Sequence, residues 1–398
     1  MELTGRVPRR ITAAAVTWTA ILVPAAALAP ASGAAAKGSP VSAARPARPV
    51  TAYVTSGGYT VVPFNTGTNK AGKPIRVGPG PAAIAFTPDG KTAYVANEGL
   101  PIGGGPPGSV TPVRTATGTV LKPIKIGSGG GSGPDAIAIT PDGKTVYVPS
   151  YSDGTVTPIR TATSTALKPV KVGADPVAIA ITPNGKTAYV VNSDSNYITP
   201  IRTATSTALK AIRVGDTPEA IAITPNGKIA YVASEGPDFF KTGTVTPIRT
   251  AAGTALKQIK VGVNPLAIAI TPDGKTAYVA NSLSGTVTPI RTATGSALKP
   301  VKVGREPVFI AITPDGETAY VANAGSGTVT PIRIATNTAL KPIKTGRRPV
   351  FIAITPDGKT AYVANAGSGT VTPIRTATNT ALKLIKVARG PDYIAFTP

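Results

Sequence analysis

Along most of this chain, apolar and polar residues alternate in short runs, and the runs return in a fixed order. In Pro176 to Gly215 four such runs can be read. "VAIAIT" (Val177 to Thr182, segment A) is apolar at every position but its last. "TAYVVN" (Thr187 to Asn192, B), "YITPIR" (Tyr197 to Arg202, C) and "LKAIRVG" (Leu209 to Gly215, D) follow. Each is strand-length, and the breaks between them are "PNG", "SDS" and "TATSTA", all turn-forming. Short breaks predict neighbouring strands that pair antiparallel. Segment A carries Ile and Ala by turns, so both of its faces are apolar and both must be covered. A radial array of four-stranded sheets provides such cover, because each sheet packs on the next.

The unit recurs. A Thr-Pro dipeptide places its proline at 88, 141, 183, 225, 272, 314, 356 and 398, most often 42 residues apart. The tyrosine of segment B falls at 53, 94, 147, 189, 231, 278, 320 and 362. A period of 40–45 residues with four strands per unit is that of a propeller blade. The chain ends on a lone segment A, "YIAFT" (Tyr393 to Thr397), while Thr51 to Gly78 supplies B, C and D without an A. The expectation is therefore an all-β, eight-bladed propeller of four-stranded antiparallel blades. Its ring closes where the N-terminal strands B to D pair with the C-terminal strand A, leaving no open edge. A seven-bladed ring with one unit excluded is the alternative. Proline inside segment C (Pro158, Pro200, Pro289) and often inside D (Pro169, Pro300, Pro342) predicts a short or bulged outer strand, since proline donates nothing to a ladder.

The run "P-x-x-I-A-I-T-P-D-G-K-T-A-Y-V-A-N", followed later by "I-K-V-G", resembles the YVTN β-propeller repeat family over about residues 51–398. The tetrad itself appears as "YVAN", "YVVN", "YVPS" and "YVTS". The resemblance implies a propeller fold and a secreted or surface-layer setting, with lactonase-type enzymes among related propellers. It says less of activity, because one fold hosts many functions. One departure is systematic. Segment C of the family usually ends aliphatic-Asp, whereas here it ends in Arg114, Arg160, Arg202, Arg249, Arg291, Arg333 and Arg375.

Residues 1–36 read as a signal peptide, with Arg6, Arg9 and Arg10 before an apolar stretch and a small-residue run "ASGAAA". Residues 37–50, rich in Ala, Pro and Ser, read as a flexible linker, and 51–398 as the propeller. The setting expected is secreted or cell-surface. The membrane is a partner only if the signal segment stays uncleaved.

Composition narrows the chemistry. There is no Cys and no His, so triads, thiolates and the commonest metal ligands are excluded. No cofactor is expected. The formal charge is +23, or +21 without residues 1–36, which carry three Arg and one Glu. Most of the excess is written into the repeat, as two bases in each segment D, the segment-C arginines and lysines of the A–B turns. Such a surface attracts polyanions. The alternative is a solvated, solubilising edge. Nucleic acid is not expected as a partner, because aromatics are not interleaved with the bases. An anionic cell-wall polymer, an acidic glycan or another surface protein fits better, bound by a monomer.

Two sets of candidate site residues stand out. Asp135, Glu219 and Asp392 directly follow the proline that leads into segment A, at the channel mouth, where carboxylates could hold a cation. The next position is Ala in five units but Phe309, Phe351 and Tyr393 in three consecutive ones. The loops before those three carry Arg305, Arg347, Arg348 and Arg389. Arginine beside aromatic surface suits an anionic ligand. The plainer alternative is core filling by the rings and solvation of the arginines. No catalytic residue can be assigned. The reading is a non-enzymatic cell-envelope scaffold or binding protein for an anionic ligand or wall polymer, the alternative a lactonase-like or other hydrolase at the channel mouth.

Overall fold

The structure is a computed structural model. It describes residues 50–99, 106–127, 133–238 and 240–398. Residues 1–36 and 37–49, expected to be a signal peptide and most of a linker, lie outside the described residues, as do Phe239 and parts of both glycine-rich loops.

The chain forms eight antiparallel sheets around a ring. We number the blades in chain order from Pro81, with the shared one as the closing blade. Blade 3 is representative. Its strand A is Pro176–Ile181, B is Thr187–Asn192 and C is Tyr197–Arg202. Its outer strand D is split into Thr207–Ala208 and Ile212–Arg213. The split follows from the proline in strand C. In blade 2 the Leu167 amide donates to the Pro158 carbonyl at 2.8 Å. In an antiparallel strand a residue's N–H and C=O point to the same neighbour. The N–H that Pro158 lacks would therefore also face strand D, and D must leave the ladder there. The B–C ladder is untouched, running without interruption from Thr145↔Arg160 to Ser150↔Thr155.

The A–B turns are uniform. In Thr140-Pro141-Asp142-Gly143 the Thr140 hydroxyl and the Lys144 amide both donate to Asp142 Oδ1, at 2.6 and 3.0 Å. Gly143 has φ of +70°, a conformation that glycine adopts without a Cβ penalty.

Two residues of strand B join the blades. The tyrosine ring is fully buried, and its hydroxyl crosses to the C–D turn of the next blade. Tyr147 reaches the Thr203 carbonyl at 3.0 Å and Tyr362 the Thr66 carbonyl at 3.1 Å. The tetrad asparagine works at the other end. Asn192 Oδ1 accepts from the Gly173 amide at 3.1 Å, and its Nδ2 donates to Thr199 Oγ1 at 3.0 Å. This ties the linker entering a blade to strands B and C of that blade.

Blade 4 breaks the pattern, because Ser234 stands where the asparagine would be. Its hydroxyl and those of Thr244 and Thr246 are buried without a hydrogen-bond partner. Ser234→Asn should restore the bridge from the Gly215 amide to Thr246. We expect a gain of about 1 kcal/mol, read as a higher melting temperature. A lower melting temperature would show that the slot cannot take the amide.

The ring closes through Ile394–Phe396, which pairs with Thr51–Thr55 in the register Ala52↔Phe396, Tyr53↔Ala395 and Val54↔Ile394. The family of eight four-stranded blades expected from the repeat is thus the architecture seen, and no unit is left out of the ring.

Candidate functional site

Strand A is innermost in every blade and packs on the A strands of neighbouring blades. The linkers entering A and the loops joining B to C meet on one face. The Glu98 amide donates to the Gly80 carbonyl, Ser193 to Asp175 and Ala366 to Arg348, at 2.8, 2.8 and 2.9 Å. The long insertions use this face too. Gly108 and Gly133, one from each glycine-rich loop, approach so closely that a Cβ on Gly108 would lie 2.5 Å from the Gly133 Cα. Five non-glycine residues just before the strand-A prolines have positive φ, including Asp175 (+50°), Thr217 (+52°) and Arg348 (+52°). Such backbone is strained; of the five, Glu306 and Arg348 are exposed and Asn264 is buried.

The three carboxylates expected at the mouth are all there, but they separate into two groups. Asp135 hydrogen-bonds the Glu98 side chain, and Glu98 is pushed up to about 8, first by burial and then by the Asp135 charge. Glu98 is exposed by surface area, so its desolvation is that of a recessed group and not of a dry core. Asp392 is raised to about 6 by burial and by Glu98, with Arg348 opposing. Electrostatic influence thus links Arg348, Asp392 and the hydrogen-bonded Glu98–Asp135 pair, residues drawn from blade 7, the closing blade, blade 1 and blade 2. Glu219 belongs elsewhere. It is raised to about 8 by burial and by the Glu235 charge, while the Ser193 hydroxyl donates to it at 3.0 Å.

Glu98 and Glu235 escape a sequence reading that looks only at the position after the linker proline. A signal existed, since each directly follows the strand-B tetrad in a blade with a lengthened B–C loop. Among the described residues, no three of His, Cys, Asp and Glu gather closely enough to hold a metal ion.

The arginine and aromatic set is divided by depth. Phe309 and Phe351 stack at 4.3 Å between centroids, and Phe351 and Tyr393 at 4.4 Å. All three are buried, as core filling would have them. Arg305, Arg347, Arg348 and Arg389 are exposed above them, with Arg305 Nη2 donating to the Gly325 carbonyl at 3.0 Å. The rings thus form a buried stack spanning three blades, and the arginines alone face outward.

Charge on this face is unequal. Asp392, Glu98, Asp135, Asp153, Asp175, Asp194, Asp216, Glu219, Glu235 and Asp238 occupy the arc from the closing blade to blade 4. The four arginines, with Glu306 beside Arg305, occupy the arc from the linker entering blade 6 to the linker entering the closing blade, while Lys241 on the acidic arc pairs with Asp238 at 3.5 Å. A recess of about 580 Å³, lined by Thr140, Asp142, Asn184 and Thr203, lies on the opposite face, away from this chemistry.

A sequence profile described as "Lactonase, 7-bladed beta-propeller" matches residues 50–174 and 290–391, more than half of the chain. The eight blades here exceed the seven of that description by one. Among solved structures, hydrazine synthase of Kuenenia stuttgartiensis is similar at 27% identity and a TM-score of 0.61, over 75% of this chain and 96% of that one. A Bacteroides fragilis protein assigned as a 6-phosphogluconolactonase is similar at 22% identity and a TM-score of 0.57, over 77% and 98%. Dihydro-heme d1 dehydrogenase NirN, solved with DHE, is similar at 15% identity and a TM-score of 0.71, over 88% and 77%. The last two likenesses are of fold alone. No curated protein matches.

Proposed function

We propose, for a chain that belongs to the lactonase, 7-bladed β-propeller family, that it is an exported, cell-envelope binding propeller that holds an anionic ligand at its mouth. The observation carrying this is the run of charge from Arg348 through Asp392 to the Glu98–Asp135 pair. Arginines on one side offer forked donors to phosphate or carboxylate. The carboxyl pair on the other accepts from, or donates to, hydroxyls of the same ligand. Export rests on the charged and apolar pattern of residues 1–36. The absence of His and Cys leaves few routes to turnover. Calorimetric titration with 6-phosphogluconate tests the reading, the probe being chosen from the Bacteroides likeness. Saturable binding that falls at least about tenfold in Arg347→Gln/Arg348→Gln is expected. No binding, or binding indifferent to both arginines, overturns it.

A second reading, hydrolysis of a lactone at the same mouth, is favoured by one feature. Glu98 and Asp135 share a hydrogen bond, and Glu98 is raised to about 8. Near neutral pH one of the two keeps its proton. The ionised partner would take a proton from water as its oxygen attacks the lactone carbonyl. The protonated one would give its proton to the ring oxygen as the C–O bond breaks, leaving the open hydroxy acid. Acid release in a pH-stat separates the readings. Turnover that drops about a hundredfold or more in Glu98→Gln supports hydrolysis, and binding without acid release supports the binding propeller alone.

A further inference from the structure

We infer that the face opposite the mouth is a docking surface for an extended anionic polymer, and that docking there presents the mouth outward.

That face is made of the A–B and C–D turns, which are bonded to each other. Thr161 Oγ1 donates to the Gly143 carbonyl at 2.7 Å, and Thr376 Oγ1 to the Gly358 carbonyl at 2.6 Å. Four of its six turn lysines are matched by a turn aspartate, whereas Lys186 and Lys228 stand beside Asn184 and Asn226 and join no ion pair among the described residues. Lys91 pairs with Asp89 at 3.5 Å, Lys144 with Asp142 at 3.7 Å, Lys275 with Asp273 at 3.5 Å and Lys359 with Asp357 at 3.9 Å.

The strand-C arginines are not matched. Each of the seven is exposed at the last position of its strand. Arg160 stands opposite Thr145 on one side and Thr165 on the other, so its cross-strand neighbours carry no charge. The same holds for Arg202 between Thr187 and Thr207. No ion pair among the described residues includes any of the seven. The seven arginines, together with Lys186 and Lys228, are therefore the positive charge that this face presents outside any ion pair among the described residues. Seven blades place them at one radius, and only the closing blade interrupts the ring, with Asn65 at that position.

A rigid ring of separated, uncompensated guanidinium groups fits a long polyanion better than a compact ligand. Each contact is weak, but one chain can touch several blades, and forked donors suit phosphate groups along it. A base-stacking partner is not favoured here, because the exposed large aromatics, Tyr59 and Phe240, both lie in B–C loops on the other face. The acidic arc at the mouth adds orientation. An anionic surface repels Asp153, Asp175, Asp216 and their neighbours while attracting the arginine ring, so the two faces are not interchangeable.

The test uses linear polyphosphate on a sensor surface, the full chain, and three variants that each lose four positive charges. The first carries Arg160→Gln, Arg202→Gln, Arg291→Gln and Arg333→Gln. The second carries Arg305→Gln, Arg347→Gln, Arg348→Gln and Arg389→Gln at the mouth. The third carries Lys171→Gln, Lys260→Gln, Lys302→Gln and Lys344→Gln on the outer wall. We expect the first to lose at least about tenfold in affinity with a shallower salt dependence, and the other two to lose about threefold or less. Equal losses in all three would mean diffuse charge and overturn the proposal. So would a loss confined to the mouth variant. A readout on the unaltered protein guards against a folding defect. Polyphosphate should shield the strand-C arginines from phenylglyoxal while Arg305 and Arg347 stay reactive. The reverse pattern also overturns it.

Discussion

Removing residues 391–398 should abolish the cooperative fold or reduce it to an aggregating remnant. The lost segment contributes the whole of strand A of the closing blade. Ile394 is buried to 1% exposure, Tyr393 ends the three-ring stack against Phe351, and Phe396 packs edge-on to Tyr362 at 5.8 Å. Burying side chains of this size is worth about 1.5–3 kcal/mol each, so the direct loss is roughly 5 kcal/mol or more. The ladder bonds go as well, including Thr397 N to the Thr51 carbonyl and Thr55 N to the Tyr393 carbonyl, both 3.0 Å. What remains is an open ring, with the edge of Thr51–Thr55 exposed and apolar Ala52 and Val54 beside it. Such an edge templates pairing with other chains. Thermal denaturation and light scattering check the outcome, and Ile394→Asp offers the same test without shortening the chain. A truncated protein that melts cooperatively at the original temperature would show that the ring does not depend on this closure.

Closure was legible in the sequence because it is a matter of counting, with one strand left over at the end and one missing at the start. Blade number and strand order were legible for the same reason. Eight near-copies repeat every signal, so an ambiguous run in one unit is settled by its counterparts. Even the broken outer strand could be read, since Pro158 and its equivalents remove a donor whose direction antiparallel pairing fixes. The site was less legible because it is made by what differs between units. Asp135 and Asp392 could be picked out as departures at one repeat position. Their link through Glu98 could not, because Glu98 sits in another loop and reaches Asp135 only when blades 1 and 2 are side by side. Arg348 and Phe351 are close in sequence and read as one patch. The bulge between Pro349 and Phe351, together with strand pleating, sends the ring inward, while Arg348 stays on the surface.

Raising the pH from 5 to 9 should destabilise the protein, and Glu219→Gln should remove much of that loss. Glu219 and Glu98 are raised to about 8 and Asp392 to about 6, each chiefly by burial. A carboxyl whose folded pKa lies above its unfolded value of 4.5, or 3.8 for Asp, holds its proton more tightly in the native state. Its contribution is fully present below the unfolded value. It is lost as pH climbs through 6 for Asp392 and through 8 for the two glutamates. The turn carboxylates act in the opposite sense. Asp89, Asp142 and Asp273 are held below 3.8, mainly by a threonine hydroxyl, so they favour folding above that value and lose their effect in acid. The two trends leave a maximum at about pH 4. The buried tyrosines do not disturb this window, because Tyr278, Tyr320 and Tyr362 are pushed up to about 12. Glutamine at position 219 keeps an acceptor for the Ser193 hydroxyl but cannot ionise against Glu235, Asp194 and Asp175. At pH 9 the variant should therefore exceed the parent by roughly 2 kcal/mol, a figure reduced from the full shift because Glu219 is not wholly shielded from water. At pH 5 the two should melt alike, since Glu219 is then protonated in the native state. Melting curves from pH 4 to 9 decide it. A parent protein that gains stability toward pH 9, or a variant whose alkaline loss matches the parent's, would mean that these carboxyls ionise without cost and that the mouth is open enough to hydrate their charge.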